Sequence, residues 1–271
     1  MSDASFPAAR PGAVFLRLGR FTFLGFLLVA LLGGNALAEE IRSVHVVVAL
    51  CDNVNQGIVP VPARIGNGRV PADNLYWGAA YGVKTFFGKQ PEWRRVATWS
   101  NPTPQILERL VFKHTKHNMY LVADAWAGEE IKAATVAFLQ YAAGRDGSRV
   151  DLPGAGISVP SGGDASLVVY IGHNGLMDFS LATTPTALKP RKAAVFACKS
   201  RDYFAAPLEK AGADAVILTT NFMCPEAYTT HALIEGFLAG DKPETLRDRV
   251  ARAYNKYQKC GLRGARRMFG G

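Results

Sequence analysis

Cysteine is scarce in this chain and never paired at short range. The four residues Cys51, Cys198, Cys224 and Cys260 contain no Cys-x-x-Cys, which excludes a thiolate zinc knuckle. His114 and His117 stand three apart but are flanked by Lys113 and Lys116, so they read as solvated basic surface, and no metal is expected. Gly154-Ala155-Gly156 follows no strand and opens no helix, so it makes no dinucleotide turn, and no cofactor is expected. Low-complexity tracts and internal repeats are absent. Acidic residues are outnumbered, 22 against 31 basic, leaving a net charge of +9. Long apolar runs are missing too: Phe21 to Leu32 falls short of the roughly 20 residues a spanning helix needs.

That short run has its own context. Arg10, Arg17 and Arg20 precede it and Ala36-Leu37-Ala38 follows, the pattern of a secretory signal peptide over residues 1–38 cleaved after Ala38. Export to the periplasm or beyond is the expectation, with an uncleaved membrane anchor as the alternative. No cysteine follows the cleavage point, which argues against lipid attachment there. The leader holds three Arg and one Asp, so its removal lowers the net charge of +9 by two. Much of the remaining positive charge gathers between Arg247 and Arg267, read as a solvated helix face followed by a basic tail over 261–271. Such charge suits an anionic envelope surface. No nucleic-acid motif accompanies it, and export argues against DNA or RNA as a partner.

Past the leader, apolar runs alternate with helical stretches. Val44 to Leu50 reads as a central strand closed by the turn residues Cys51-Asp52-Asn53. Ala72 to Phe87 carries Leu75, Ala79, Val83 and Phe86 at helical spacing, and Ile106 to Phe112 fits either a strand or a short helix. Met119 to Ala125 is a further strand, Glu129 to Tyr141 a helix ended by Gly144, and Arg145 to Gly163 a loop. Phe204 to Ala211 is a short helix and Ala215 to Thr220 another strand. Pro225 to Leu238 and Glu244 to Tyr257 complete the pattern as amphipathic helices. The alternation predicts an α/β fold, a mostly parallel central sheet with helices on both faces, forming one domain over 39–260.

Two strands between these elements carry the chemistry. Leu167 to Gly172 leads into His173-Asn174-Gly175, and Ala193 to Ala197 leads into Cys198-Lys199-Ser200. As parallel strands they deliver an imidazole and a thiol to the carboxyl edge of one sheet, where open α/β sheets bind their ligands. Lys199 favours the thiolate, the nucleophilic form. Gly172 and Gly175 let a substrate backbone approach and leave N–H groups for an oxyanion.

These motifs resemble those of the caspase-like cysteine peptidases, the clan that includes legumain, gingipains, separase and the CHAT domain. There an apolar strand ends in His-Gly and another ends in Ala-Cys. Downstream, Leu208 to Thr220 (LEKAGADAVILTT) is similar to the helix, Gly-Ala step and strand of the CHAT domain, and Glu226 to Gly240 to its next helix. Upstream, Ala72-Asp73-Asn74-Leu75 resembles the segment after the first strand in legumain-like members. The resemblance implies a caspase-like fold and peptide-bond hydrolysis on a peptide or protein substrate. Cys198 is then the nucleophile, His173 the general acid, and the N–H groups of Gly175 and Cys198 the oxyanion hole. Asn174 stands between histidine and glycine where the family has them adjacent. Lys199 replaces the small or acidic residue after the cysteine. A catalytically inactive module that binds a peptide or envelope partner is the alternative.

Asp52, at the end of the first strand, Asp178 and Asn174 are the candidate substrate-binding residues; each aspartate also fits a turn or cap. If the last two helices run antiparallel, Cys260 returns near Cys224 and the two form a disulfide; a Cys198–Cys224 bond is the alternative that would silence the nucleophile.

Overall fold

The computed structural model describes residues 40–270, so the leader and its cleavage point lie outside the described residues. The strands are β1 (Arg42–Ala49), β2 (Trp93–Ser100), β3 (Ile106–His114), β4 (Met119–Trp126), β5 (Gly147–Asp151), β6 (Ser158–Gly162), β7 (Leu167–Ile171), β8 (Lys192–Phe196) and β9 (Asp214–Ile217). The helices are α1 (Val83–Gly88), α2 (Ile131–Ala142), α3 (Ser200–Lys210), α4 (Ala227–Leu238), α5 (Pro243–Gln258) and α6 (Leu262–Phe269). Seven strands form one sheet in the order β2-β3-β4-β1-β7-β8-β9, and β5 pairs with β6 alone. All pairings from β4 to β9 are parallel, while β3 is antiparallel to both neighbours. The architecture is therefore α/β with a mostly parallel, mixed sheet.

Alternation along the central strands distributes the core between two faces. Val44, Val46, Val48, Val169 and Phe196 pack with α1, α4, α5 and α6. Val47, Ala49, Val168, Tyr170 and Val195 pack on the other face against Ile131, Phe138 and Leu139 of α2 and Phe204 and Leu208 of α3. Helices thus cover both faces, as burial of a parallel sheet requires. Among the described residues no helix is long and apolar enough to cross a membrane.

Three segments depart from the expectation. Only Val83 onward is helical in the stretch from Ala72. Asn74 captures the chain before it: its amide donates to the carbonyls of Cys51 and Asn67 at 2.8 and 3.0 Å, and its Oδ1 accepts the N–H groups of Cys51 and Tyr76. Asn side chains offer the backbone such an alternative to a helix. The stretch from Arg145 to Gly163 is the β5–β6 hairpin, whose Val150, Leu152 and Val159 cover Val111, Tyr120 and Val122 of the sheet. The basic tail is helix α6, which buries Ala265 and Phe269. Phe269 packs edge-on against Phe196 and Tyr254 at 6.3 and 5.4 Å. Apolar residues at i and i+4 gave that segment a core-facing stripe, and Asp248 takes up Arg266 of the opposite face at 2.7 Å.

A buried ion-pair network ties the antiparallel strand to the parallel ones. Asp124, fully enclosed on β4, accepts both arms of Arg109 from β3 at 2.6 Å and His45 Nε2 from β1 at 3.2 Å. His45 Nδ1 accepts the Gly162 N–H at 2.7 Å, so its proton sits on Nε2, facing the carboxylate. Burial pushes the Asp124 carboxyl upward, but the hydrogen bonds from Arg109 and His45 outweigh it and hold the group below the usual carboxylate range.

Candidate active site

β1, β7 and β8 are neighbours, and all three end at the same edge of the sheet. After β7 the chain must turn at once. Gly172 takes a positive φ of 148°, and a Cβ there would meet the Ala49 carbonyl oxygen at 2.8 Å. This left-handed half of the map is glycine territory, and it throws His173 over the edge. The imidazole is 7% exposed. Its Nε2 lies 2.8 Å from Asp178 Oδ2, which also accepts the Gly57 N–H at 2.9 Å. A carboxylate accepts only, so Nε2 carries the hydrogen and Nδ1 the lone pair. Asp178 is brought back to the histidine by the single 3-10 turn Gly175–Met177.

After β8, Ala197 is buried and Cys198 half-buried. Lys199 adopts a left-handed conformation, φ 48°, and α3 starts immediately after it. The thiol therefore stands just before the amino-terminal end of α3. Its sulfur accepts the Met223 N–H at 3.4 Å and lies 3.5 Å from the Met223 carbonyl oxygen. Lys199 does not turn toward the sulfur; its Nζ lies 4.9 Å over the Phe222 ring.

Cys198 and His173 line one cavity of about 420 Å³. Its walls are mostly apolar, including Ile58, Val61, Leu75, Tyr76, Met177 and Phe222. The one carboxylate among the lining residues, Glu226, is already engaged: Gln258 Nε2 donates to its Oε2 at 3.1 Å. Burial pushes the Glu226 carboxyl up, against hydrogen bonds from Tyr228 and Gln258 that favour the charged form.

The other sequence-derived candidates need correction. Asp52 is a turn residue and does not line the cavity. Its Oδ1 accepts the N–H groups of Val54 and Asn55 at 2.9 and 3.2 Å, and its Oδ2 the Asn55 amide at 2.8 Å. Asp178 is not among the residues lining the cavity; its Oδ2 is taken up by His173 and the Gly57 N–H. Asn174 is fully buried, is not among the residues lining the cavity, and donates to the Cys198 carbonyl at 2.8 Å, so it joins the two strand ends. Gly175 is buried against Phe179, which a Cβ there would meet at 2.7 Å, and it is Gly172 that lines the cavity. All four cysteines are free thiols. Cys224 and Cys260 are not bonded to each other: the Cys224 N–H donates to the Tyr254 hydroxyl at 3.2 Å, and Cys260 follows the left-handed cap Lys259 and lies exposed. Cys224 shares the cavity with Cys198 without bonding to it.

No protein-family model, curated protein or solved structure matches the chain.

The pair His114 and His117 was expected in solvent, yet His114 is buried against Trp93, ring centroids 5.0 Å apart. It faces Glu235, which with Glu92 and His231 forms a cluster of donor atoms within 4.8 Å of one another, outside the cavity lining.

Proposed function

We propose that this protein is an exported cysteine peptidase with a caspase-like domain, hydrolysing peptide bonds through Cys198 and His173, with Asp178 as the positioning residue for the imidazole. The observation that carries the reading is the Asp178–His173 hydrogen bond beside a cavity that both His173 and Cys198 line. Tautomer control of this kind leaves Nδ1 as the basic nitrogen, the state a thiol needs from its partner.

In the proposed reaction the Cys198 proton passes to His173 Nδ1 and the sulfur attacks the scissile carbonyl carbon, forming a C–S bond as the carbonyl oxygen takes the negative charge. Collapse breaks the C–N bond, and the imidazolium returns its proton to the leaving amine. Water then attacks the thioester, freeing the acid and the thiol. The positive end of α3 offsets the charge on sulfur and oxyanion. The walls of the cavity favour an apolar side chain beside the scissile bond, because no unengaged charge stands ready to pair with a charged one.

Peptidyl acyloxymethyl ketones test this directly. Those with Phe or Leu next to the reactive carbon are expected to modify Cys198, to outpace Asp and Lys analogues, and to lose their target in His173→Ala. Absence of modification in the reduced, folded protein sinks the peptidase and leaves an inactive binding module.

A further inference from the structure

The donor cluster on the opposite stretch of α4 has no part in this chemistry, yet it is built as a cation site. His231 and Glu235 are four apart on one helix face, so their side chains project side by side. Glu92 arrives from the residue before β2. His231 Nε2 is 2.6 Å from Glu92 Oε1 and 3.8 Å from Glu235 Oε1. All three ligand atoms fall within 4.8 Å, the spacing of groups that share one ion. The three side chains are half-buried, with 18–29% exposure, so they are neither sealed in the core nor freely solvated.

A second observation is independent of the cluster. His114 is 3% exposed, and its Nδ1 accepts the N–H groups of Lys116 and His117 at 3.1 and 3.2 Å. Its hydrogen is therefore on Nε2, and that buried donor has no hydrogen-bond partner. It is aimed at Glu235, stopping 3.8 Å from Oε1. Trp93 Nε1 donates to the same oxygen at 3.2 Å. Trp93 and His114 thus face the same oxygen that lies 3.8 Å from His231 Nε2, and N–H groups set around a carboxylate in this way orient a metal-ligating acid.

We infer that Glu92, His231 and Glu235 bind one divalent first-row cation, zinc by preference, with His114 and Trp93 as positioning residues for Glu235. One imidazole and two carboxylates form a donor set of intermediate hardness that suits zinc or manganese. The cation takes the place of the hydrogen between His231 Nε2 and Glu92 Oε1, the imidazole keeping its one hydrogen on Nδ1. It joins the start of β2 to α4, the helix that follows the cavity residues Cys224, Pro225 and Glu226. Its role is that of a staple behind the cleft wall, and it needs no catalytic step.

Calorimetric titration of the chelator-treated, signal-free protein with zinc sulfate, and separately with manganese chloride, tests the site. The expected result is one ion per chain, micromolar or tighter for zinc. His231→Gln is expected to weaken zinc at least thirtyfold and His114→Gln about tenfold, with folding of each checked by circular dichroism. Manganese, which ignores thiols, gives the same loss in His231→Gln by electron paramagnetic resonance. Absence of binding below millimolar in the folded protein overturns the site. So does zinc binding that survives His231→Gln and disappears in Cys224→Ser/Cys260→Ser.

Discussion

The fully buried side-chain amide of Asn174 donates to the backbone carbonyl of Cys198 across 2.8 Å. The residue that separates histidine from glycine in this chain is thus the strut between the two strand ends that carry the imidazole and the thiol. Asn174→Ala removes the strut while leaving both reactive groups in place. Modification of Cys198 by the Phe-containing ketone is expected to slow about tenfold to a hundredfold, as misplacement of reacting groups by a fraction of an ångström does. The second-order rate constant of inactivation measures it, and a rate equal to wild type removes the strut from the mechanism.

Asp178→Asn keeps a side chain of the same shape but offers His173 an amide in place of a carboxylate. The amide can turn an N–H to the imidazole as readily as an oxygen, so the tautomer is no longer fixed, and peptide hydrolysis is expected to fall about a hundredfold or more. Small, non-peptidic iodoacetamide needs less of the imidazole, so its rate on Cys198 is expected to change much less. Equal losses with both reagents indicate damage to the fold around the thiol.

The Asp124 network dictates how the fold responds to acid. A carboxyl held below its unfolded value contributes stability above that unfolded value, roughly pH 4, and loses it as pH falls through the folded one. Urea midpoints are expected to hold from pH 7 to about 5 and to drop below about 4. Asp124→Asn strands the Arg109 guanidinium, which is mostly buried, and is expected to cost about 3–5 kcal/mol at neutral pH with a flatter acid limb.

Thiol reactivity follows burial. Burial pushes the Cys51 thiol to about 11, the Tyr76 hydrogen bond opposing only in part. Iodoacetamide at pH 8 is expected to reach Cys198, Cys224 and Cys260 in the native protein and Cys51 only in urea. Peptide mapping by mass spectrometry reads the order, and rapid native modification of Cys51 contradicts its place in the core.

Phe269, in the last turn of α6, is fully buried. Phe269→Ala is expected to destabilise the domain by about 3 kcal/mol, seen in a lowered urea midpoint with unchanged slope. A shift within a few tenths of a kcal/mol marks α6 as loosely attached.

What was legible in the sequence follows from periodicity. The valine-rich β1, the runs of β4, β7 and β8 and the stripes of α4 and α5 are buried on one or two faces, and burial is what apolar patterning records. β2 was not foreseen, because an edge strand reading Trp-Arg-Arg-Val-Ala-Thr-Trp-Ser keeps only Trp93 fully enclosed. The helix expected from Ala72 failed to a single competing side chain, Asn74, whose four hydrogen bonds no pattern announces. At the site, His173 and Cys198 were placed by the strands that end before them. The role of Asp178 was hidden because a carboxylate five residues after a histidine gives no sign of turning back; a three-residue 3-10 turn makes the return. The buried His45–Asp124–Arg109 network joins three strands far apart in sequence, and only the sheet order reveals it.

Helix α6 bears on how well the thiol's strand is sealed. Phe196, on the strand that leads to Cys198, is covered in part by Phe269. Loosening α6 uncovers that ring and lets water reach the face of β8 two residues before the sulfur. Damage to a helix that never touches the cavity is thereby felt at its rim.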